Sequence, residues 1–575
     1  MTKLFRNNPL LLILFIAFIT RVVGIWYGLP SLYNSDEPFN VLNALAYGAR
    51  KSLEPIYYVY PTLYSYLLFA VYGAYFVFGK VFGLFHTAVD FGASYFIHPT
   101  GLFLVGRFLS VAFGVASIGV IFKTGVRFFS KKVAVISAVL LTLSFSHVDI
   151  SHWVLLESTV VFMAALALYC ILIFLDKPSY KAAFVSGLVV GLAISTKYNA
   201  GFLLLPLFVS LVLVHQKSIS GLFKGTSLSL AACGLGFLLG SPYWLFSFSS
   251  FKESFQYTLS HVNTGMVGHM SSVPVIWPLW EIISNDWTIG LVLISGFIYA
   301  FFQRNKKAML LLLFALPTLL FVGFWSRTGV HYLLPVYPAL AILAAVFLND
   351  IGEQKVRRSA KLALLVLIVV PAILKIAYFD IRLTRTDVRT VAKHWIETNI
   401  PDGERIGYEN YVYGPNLFDP GRFFRNSEES RLLPLPLKER LLEERLRRVS
   451  YQLINLRKDF KLRALADIPA RKNGDSYLRQ LLETRLPRLS AVQKAGVKYL
   501  MISSDNYDRY FRTTAPEKGT PAWVAYQNGR SFYSSVFESK ELVLLREFTP
   551  GFWTPGPTIK IYKFQTEPRE ARNNG

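Results

Sequence analysis

Residues 101–150 read GLFLVGRFLSVAFGVASIGVIF-KTGVRFFSKK-VAVISAVLLTLSFSHVDI, an apolar run, a short basic segment and a second apolar run. Each apolar run has about the 17–25 residues that a helix needs to cross roughly 30 Å of hydrocarbon. Basic residues between two such runs are typical of a cytoplasmic loop. The stretch therefore predicts two membrane-spanning helices that are joined on the inner side.

The composition agrees with this interpretation. Only 17% of the 575 residues are charged, whereas an ordinary soluble domain has about a quarter, and the mean hydropathy is +0.39. These values exclude a soluble enzyme and a disordered chain. The net charge of +24 does not indicate a nucleic-acid partner, because the basic residues of the first two-thirds lie in short loops that membrane topology explains.

Placing every short basic segment inside gives a complete topology. These segments are 123–132, 177–181, 217–224, 304–307 and 355–361. Eleven spanning helices follow, at roughly 9–29, 101–122, 133–150, 158–175, 182–196, 200–214, 225–243, 288–302, 308–325, 333–349 and 361–378. The outer loops are then 29–60, 151–157, 197–199, 244–287 and 326–332. The N-terminus is predicted to be inside.

Residues 61–100 are ambiguous in this scheme. They must cross the membrane an even number of times, as a hairpin or as an interfacial excursion, for the charge pattern to hold. The predicted fold is therefore an all-α polytopic membrane bundle of eleven to thirteen helices. Either total leaves the C-terminus outside. The predicted location is the cell inner membrane or its equivalent, with the C-terminal domain in the periplasm or another space outside the cytoplasm.

The composition changes after residue 380, which divides the chain into a membrane domain, 1–379, and an outer soluble domain, 380–575. Long apolar runs stop there, and charged residues and prolines become frequent. Helical spacing at 392–400 and alternating segments at 497–503 and 558–564 predict a helix and two strands. Residues 437–489 suggest amphipathic helices. The outer domain is predicted to be a small α/β domain.

Acidic residues stand at two of the predicted outer loops. The pair Asp36-Glu37 follows the first helix in YGLPSLYNSDEP (27–38), and Glu157 ends SHWVLLE (151–157). Ionisable groups in or near a membrane-embedded bundle are expensive to keep there and are functional candidates. The alternatives are solvated loop charges for the pair and, for Glu157, a charge that is favourable at a helix N-terminus.

These segments resemble motifs of the polyprenyl-phosphate-sugar glycosyltransferases of the GT-C superfamily. The chain is most similar there to the dolichyl-phosphate-mannose–protein mannosyltransferases and the lipid A aminoarabinose transferases. Asp36-Glu37 matches the acidic motif of the first external loop, and YPTLYSYLL (60–68) matches a following Pro-Pro-Leu-like motif. Residues 151–157 match an Arg-Tyr-x-Leu-Leu-Asp-like motif, with His152 in place of arginine and Glu157 in place of aspartate. The resemblance covers roughly residues 9–350.

Two further motifs support the resemblance. GLAISTKY (191–198) is similar to a Thr-Lys motif whose lysine, here Lys197, approaches the lipid phosphate. HYLLPVYP (331–338) is similar to an Arg-Tyr-x-x-Pro segment, with His331 in place of arginine. Lys197 can also be a lysine that snorkels from a helix end.

The resemblance implies transfer of a monosaccharide from a polyprenyl-phosphate donor to a lipid, glycan or protein acceptor at the outer face, with inversion. Such a transfer needs a carboxylate base for the acceptor hydroxyl and a cation for the leaving phosphate. The implied catalytic residues are Asp36, as the base, with Glu37 and Glu157 placing the acceptor or a cation. The implied substrate-binding residues are Lys197, Tyr198, Tyr60, Tyr64, His152, Arg327, His331 and Tyr332, and Arg21 is a further candidate cation.

The sequence leaves open whether a metal ion is bound and which of two other functions could apply. A divalent metal is possible, since His261 and His269 lie in the long outer loop and could act with Glu37 or Glu157, although their spacing has no strong ligand signature. A polytopic transporter or lipid flippase is the alternative function, but no internal repeat typical of transporters is found. An oligosaccharyltransferase-like enzyme shares the predicted architecture.

Overall fold

The computed structural model of the chain describes residues 8–271, 273–354, 357–409, 412–419, 435–445, 448–457, 459 and 485–565. Its first two-thirds are helical. The α-helices are α1 (Pro9–Val22), α2 (Glu37–Arg50), α3 (Leu63–Val81), α4 (Ala88–Ile97), α5 (Thr100–Phe128), α6 (Lys131–Thr142), α7 (Phe145–Ser151), α8 (Glu157–Asp176), α9 (Tyr180–Ile194), α10 (Leu204–His215), α11 (Ile219–Gly240), α12 (Tyr243–Phe246), α13 (Phe248–Thr264), α14 (Trp277–Tyr299), α15 (Lys306–Gly323), α16 (Tyr337–Glu353) and α17 (Arg358–Leu383). Short 3₁₀ helices occupy Tyr198–Leu203, Ala300–Phe302, Val330–Tyr332 and Leu334–Val336.

The described part of the structure gives fewer long apolar helices than the eleven to thirteen predicted spans. Within the described residues, eight segments are long and apolar enough to cross a membrane, and they contain α5, α8, α10, α11, α14, α15, α16 and α17. The pair α6–α7, bent by 58°, makes a ninth, and α1 and α9 are shorter apolar helices. The first two-thirds of the chain are therefore a polytopic, all-α membrane bundle, with eight or nine candidate spans among the described residues.

Residues 61–100 form an excursion on one side of the bundle. Thr62 donates to the carbonyl of Gly240, at the end of α11, and α3 then packs along the N-terminal half of α5, with Tyr75 beside Gly101. Helix α4 contacts the C-terminal region through an ion pair between Asp90 and Arg440. Both ends of this excursion lie on the same side, so it adds no crossing.

Contacts between helix ends place the basic loops together. The Lys307 ammonium donates to the Phe128 carbonyl at 3.2 Å, which joins the start of α15 to the end of α5. Arg127 lies 3.7 Å from Asp176, at the end of α8. These loops were predicted to share the inner side, and the structure places them on one side of the bundle, opposite the acidic loops.

Two predicted spans differ from the helices in the structure. The first helix ends at Val22 and not at 29, because Gly24 and Gly28, with φ of +79° and +73°, let the chain turn there. The 133–150 span is broken between α6 and α7. Asp286 holds that break, since its carboxylate accepts from the hydroxyls of Ser144 and Ser146 at 2.8 and 2.7 Å.

The loop predicted over 244–287 also contains more helix than expected. Besides α12 and α13, it holds the first turns of α14, which begins at Trp277 and not at 288. Helix α14 is kinked at Trp287, where φ is +51°. The predicted loop boundary, 287, coincides with this kink.

The C-terminal region is a five-stranded α/β sheet with the order β2-β1-β3-β5-β4. Its strands are β1 (Arg405–Tyr408), β2 (Gln452–Asn455), β3 (Tyr499–Ser503), β4 (Leu542–Phe548) and β5 (Ile559–Phe564), and its helices are α18 (Val388–Asn399), α19 (Leu435–Arg445), α20 (Leu489–Lys494), α21 (Ser504–Tyr507) and α22 (Pro521–Glu538). Strands β1, β2 and β3 are parallel, whereas β5 is antiparallel to β3 and β4.

The helix and the two strands predicted for this region are confirmed in α18, β3 and β5. The prediction of amphipathic helices over 437–489 is confirmed at its start by α19. It is wrong at 452–455, where β2 pairs with β1 in the sheet, and residues 460–484 lie outside the described residues. Two layers of apolar side chains pack on the two faces of the sheet. The alternation that predicted β5 reflects this arrangement, because successive side chains of a strand point to opposite faces.

The sheet region is attached to the turn that follows α1. The Tyr33 hydroxyl is 2.7 Å from that of Thr390, and Asn416 donates to the Ser31 carbonyl at 2.9 Å. Tyr27 donates to the Asp387 carboxylate. The C-terminal region therefore lies on the side of the bundle that carries the acidic loops.

Candidate active site

Five segments, far apart in sequence, meet at this end of the bundle. They are the start of α2, the segment before α3, the start of α8, the turn after α9 and the segment before α16. They bring Asp36, Tyr60, Glu157, Lys197, Arg327 and Tyr332 close enough for their charges to interact. All six were predicted as site residues, and we refer to them as the acidic-basic cluster.

At the centre of the cluster is a buried ion pair. The Lys197 ammonium lies 2.9 Å from Oε1 of Glu157 and donates to the His331 carbonyl at 3.1 Å. Both charged side chains are 6% exposed. The rings of Tyr332 and Tyr60 are 5.5 and 6.0 Å from the ammonium, within cation–π range. Lys197 is thus held inside the protein, so its position is not that of a snorkelling lysine.

Asp36 lies at the open side of this pair. Its side chain is exposed, and its described hydrogen bond comes from the neighbouring Ser35 hydroxyl at 3.1 Å. Protein nevertheless surrounds it closely enough to withdraw it from bulk water. This desolvation raises the pKa of Asp36, and the negative charge of Glu157 adds to the effect. The hydrogen bond from Ser35 and the charges of Arg327 and Lys197 lower the pKa by less. A carboxylate in this setting is accessible and poorly neutralised, as a general base must be.

Glu37 lies next to Asp36 in sequence but has a different environment. It is fully buried and forms a bidentate pair with Arg107, with both contacts at 2.7 Å. It also accepts from the backbone N–H of Val154 at 2.9 Å. Through Val154, Glu37 links the start of α2 to the segment before Glu157. Its contacts fix the positions of both acidic loops and leave it no open face toward a substrate.

Arg107 was not predicted as a site residue. Its guanidinium donates to the carbonyls of Ile25 and Tyr27, at 2.7 and 2.8 Å, in addition to the two bonds to Glu37. The sequence carried a signal for it, since Arg107 is a lone arginine within an apolar run, where an ionisable residue needs a buried partner. The partner could not be identified, because Glu37 is 70 residues away.

Arg327 is held on the other side of the cluster. It donates to the ring of His261 in α13, and its backbone N–H donates to the Val262 carbonyl at 3.0 Å. Its Nε is buried and has no hydrogen-bond partner among the residues that the structure describes. Burial, with the nearby Arg327 charge, lowers the pKa of His261 to about 4, so this imidazole is neutral at neutral pH.

The histidines predicted as metal candidates lie around Arg327. Burial lowers the pKa of the second candidate, His269, and the charges of Arg509 and Arg327 contribute to the shift. His331, which was predicted as a substrate-binding residue, has its pKa lowered by burial and by the charges of Lys197 and Arg327. Among the described residues, no group of three or more His, Cys, Asp or Glu side chains is arranged to hold a metal ion. Because the positive charge of Arg327 lies next to His261 and His269, these surroundings favour an anion over a metal cation.

The remaining predicted residues lie at different distances from the cluster. Tyr198 packs edge-on against Phe251 and Phe255 of α13. Tyr64 is buried, and its hydroxyl has no hydrogen-bond partner among the described residues. His152 lies apart from the cluster, with its ring nitrogens 2.9 and 3.0 Å from the carbonyls of Val148 and Val23.

Arg21 also lies apart from the cluster. It is fully buried beside His147, at 2.8 Å, within the helical bundle. The contacts of Arg21 and His152 are those of buried polar groups that tie helices together. A role for either residue at the substrate remains a prediction.

Comparison with known proteins agrees with the motifs. Residues 101–246 match the model of the dolichyl-phosphate-mannose-protein mannosyltransferase family. This range contains Arg107, Glu157 and Lys197. No curated protein matches the chain.

Three solved structures are similar in outline. ArnT from Cupriavidus metallidurans bound to undecaprenyl phosphate is 14% identical, with a TM-score of 0.49 and 96% of each chain covered. AglB from Archaeoglobus fulgidus, in complex with an inhibitory peptide and a dolichol-phosphate, is 12% identical, with a TM-score of 0.47 and coverage of 97% of this chain and 89% of that one. The S. cerevisiae Pmt1-Pmt2 complex bound to the sugar donor is 21% identical over 48% of this chain and 36% of that one, with a TM-score of 0.31. Residues 101–246 thus carry the pattern of the dolichyl-phosphate-mannose-protein mannosyltransferase family, in agreement with the resemblance that the motifs predicted.

Proposed function

We propose that the protein is an integral membrane glycosyltransferase that moves a monosaccharide from a polyprenyl-phosphate donor to a hydroxyl group of an acceptor. The observation that carries this proposal is the exposed carboxylate of Asp36 beside the buried Glu157–Lys197 pair. The match of residues 101–246 to a family named for a dolichyl-phosphate sugar supports the class of donor. A lipid, a glycan and a protein are all acceptors of suitable chemistry.

In the proposed reaction, the acceptor oxygen attacks the anomeric carbon of the sugar from the side opposite the phosphate. The bond between that carbon and the phosphate oxygen breaks, and the prenyl phosphate leaves with the electron pair. Asp36 takes the proton of the acceptor hydroxyl as its oxygen attacks. A single displacement of this kind inverts the anomeric centre.

The cations of the cluster would stabilise the leaving phosphate. Lys197 already has its ammonium fixed between Glu157 and the His331 carbonyl, and Arg327 has an unsatisfied buried Nε. Fixed donors in a partly dry site stabilise developing negative charge without having to reorganise. Tyr60 and Tyr332, whose rings both lie near the ammonium, would contact the sugar or the first prenyl units.

We further propose that the cluster and residues 380–575 lie outside the cytoplasm, with residues 1–379 forming the membrane domain. The contacts that group the basic loops on the opposite side support this orientation through the positive-inside rule. Single cysteines in the C-terminal region and in the 303–307 loop, labelled in intact cells with an impermeant reagent, test it. Labelling of the loop but not of the C-terminal region would contradict the orientation.

The direct test of the function uses purified full-length protein and a panel of prenyl-phosphate monosaccharides. We expect release of prenyl phosphate from one donor in the presence of acceptor, and much slower release by Asp36→Asn. Transport of a lipid across vesicle membranes without release of prenyl phosphate would instead indicate a flippase. That result would remove the chemical role of the cluster.

A further inference from the structure

A cavity lies at the junction of the membrane helices and the C-terminal region. Its volume is about 580 Å³, and it is lined by the C-terminal turns of α17, by Trp287 at the kink of α14 and by residues 555–557. None of the residues of the acidic-basic cluster lines it. The cavity is therefore a separate site, and its interpretation does not depend on the proposed function.

The deeper part of this cavity is apolar and faces the surrounding membrane. Trp287 is 49% exposed and Leu374 is 63% exposed, and both belong to helices that cross the bilayer. Phe145 and Phe379 also line the cavity. An exposed tryptophan and leucine on spanning helices contact acyl chains, so the cavity is open to lipid from the side.

Two cations of α17 line the cavity at different depths. Arg382 lies in the last turn of the helix, and Lys375 lies seven residues earlier, or about 10 Å deeper along the axis. Their hydrogen bonds go to the carbonyls of Thr554 and Asn285, not to carboxylates. The Nε of Arg382 is buried and has no hydrogen-bond partner among the described residues, which leaves a charged donor unsatisfied.

The acidic groups near the cavity leave Arg382 available. Asp149 and Asp286 attract the Lys375 ammonium, and Asp387 forms the ion pair with Arg389 at 2.9 Å. Asp505 lines the upper rim, where the nearby cations are Arg389 and Arg509. None of these carboxylates hydrogen-bonds the Arg382 guanidinium within the part of the chain that the structure describes.

A loop of the C-terminal region covers the outer edge of the cavity. The Phe552 carbonyl accepts from the Tyr378 hydroxyl at 3.0 Å, and the rings of Phe552 and Trp553 lie 5.0 and 5.8 Å from the ring of Tyr378. Phe552 is nevertheless 68% exposed and Trp553 is 48% exposed. Exposed aromatic rings at a helix end are typical of the membrane–water interface, which places the loop at headgroup level.

We propose that this cavity binds an anionic glycerophospholipid of the bilayer, with its phosphate at the Arg382 guanidinium and an acyl chain along Leu374 and Trp287. The phosphate would satisfy the free Nε of Arg382, and charge-assisted hydrogen bonds of this kind are strong. The bound lipid would join α17, the kink of α14 and the 549–557 loop. The site therefore couples the docking of the C-terminal region to the surrounding membrane.

Native mass spectrometry of the full-length protein in detergent, titrated with phosphatidylglycerol, tests this proposal. The variants are Arg382→Gln and, as a matched control at the same boundary, Arg385→Gln, which does not line the cavity. We expect the wild type and Arg385→Gln to hold one phosphatidylglycerol, and Arg382→Gln to bind it about tenfold or more weakly, the effect of one lost charged hydrogen bond. Leu374→Trp, which keeps both cations but fills the apolar part, should also reduce binding.

Three outcomes would overturn the proposal. They are equal binding by Arg382→Gln and the wild type, equal losses in Arg382→Gln and Arg385→Gln, and displacement of the lipid by prenyl phosphate at lower concentration than by phosphatidylglycerol. The last result would make the cavity a carrier-lipid site. Circular dichroism and gel filtration of each variant show whether a loss of binding reflects loss of the fold.

Discussion

Two of the buried carboxylate–cation pairs among the described residues, Glu37–Arg107 and Glu157–Lys197, lie near the same surface and are built differently. In the Glu37–Arg107 pair, every guanidinium nitrogen is bonded and both carboxylate oxygens are engaged. In the Glu157–Lys197 pair, one ammonium meets one carboxylate oxygen, and its other hydrogen bond in the described structure goes to a carbonyl. The first pair is saturated, whereas the second can accept a further anion.

The difference separates a structural role from a chemical one. A saturated bidentate pair gains nothing from a ligand and holds two loops in register. A lysine with a single carboxylate contact keeps a rotatable donor that a phosphate can engage. Asp36 precedes Glu37 in the chain, so the saturated Glu37–Arg107 pair fixes the position of the exposed Asp36 carboxylate. This carboxylate lies near the Glu157–Lys197 pair, which we call the open pair. The predictions below test this division of roles.

The largest effect is expected at Asp36. Asp36→Asn keeps the size of the side chain but removes the proton acceptor, so turnover should fall by about 10²–10⁴-fold while donor binding survives. Release of prenyl phosphate and donor binding by the same preparation are the measurements. Glu157→Gln, measured in parallel, should lose less activity. An inactive Glu157→Gln beside a nearly normal Asp36→Asn would mean that the two acids have exchanged roles.

The saturated pair should dominate stability. Arg107→Met leaves Glu37 buried without a partner, and breaking a buried pair costs about 3–5 kcal/mol. Replacing both members, in Arg107→Met with Glu37→Met, should recover much of the loss because no uncompensated charge remains. Unfolding of the purified variants in detergent measures both values. A single variant as stable as the wild type would show that the pair does not hold the loops together.

The open pair should affect donor binding. Lys197→Ala removes one charged contact with the phosphate, which corresponds to about 10–100-fold weaker donor binding. Lys197→Arg retains the charge and should recover part of the affinity, so this pair of variants separates charge from shape. Donor titration by each variant is the measurement. Unchanged affinity and turnover in a folded Lys197→Ala variant would leave Lys197 with only a packing role.

The smallest effect is expected in the pH dependence. Desolvation raises the pKa of Asp36 above its ordinary value of 3.8, so the acidic limb of kcat/KM should lie above that value and should be absent in Asp36→Asn. The folded state then holds this proton more tightly than the unfolded state does. The contribution of Asp36 to stability therefore falls as pH rises through the raised pKa.

At neutral pH, Asp36→Asn should consequently be slightly more stable than the wild type. Thermal unfolding of both proteins at neutral pH and near pH 4, about the ordinary pKa of an aspartate, measures this difference. A variant that is less stable than the wild type at neutral pH would show that the charged form of Asp36 is favoured by the fold. The pKa of Asp36 would then be lowered, contrary to the expected direction.

Much of the fold follows from local pattern. Apolar runs such as 101–122 must become spanning helices, since an open backbone structure cannot satisfy its hydrogen bonds in lipid. Breaks inside runs were harder to predict. The α6–α7 bend depends on Asp286, which is 142 residues away in sequence from Ser144, and no window of the sequence contains both.

The same reasoning holds for the candidate site. Sidedness predicted that Asp36, Glu157, Lys197 and Arg327 share one end of the bundle, because loops on one side of a membrane cannot mix with those on the other. It could not distinguish Asp36 from Glu37, which are adjacent in sequence. Only contact with Arg107 makes one of them buried and neutralised and leaves the other exposed.

The sequence by itself thus determined the membrane bundle, the grouping of its loops at two opposite ends, the C-terminal α/β region and the chemical types available at one end. The tertiary structure decided which charges neutralise each other and which remain open, and it brought the 549–557 loop over Arg382. The physical reason is that hydropathy and charge asymmetry act over single segments. Ion pairs and cavities depend on the approach of segments tens to hundreds of residues apart, which packing alone fixes.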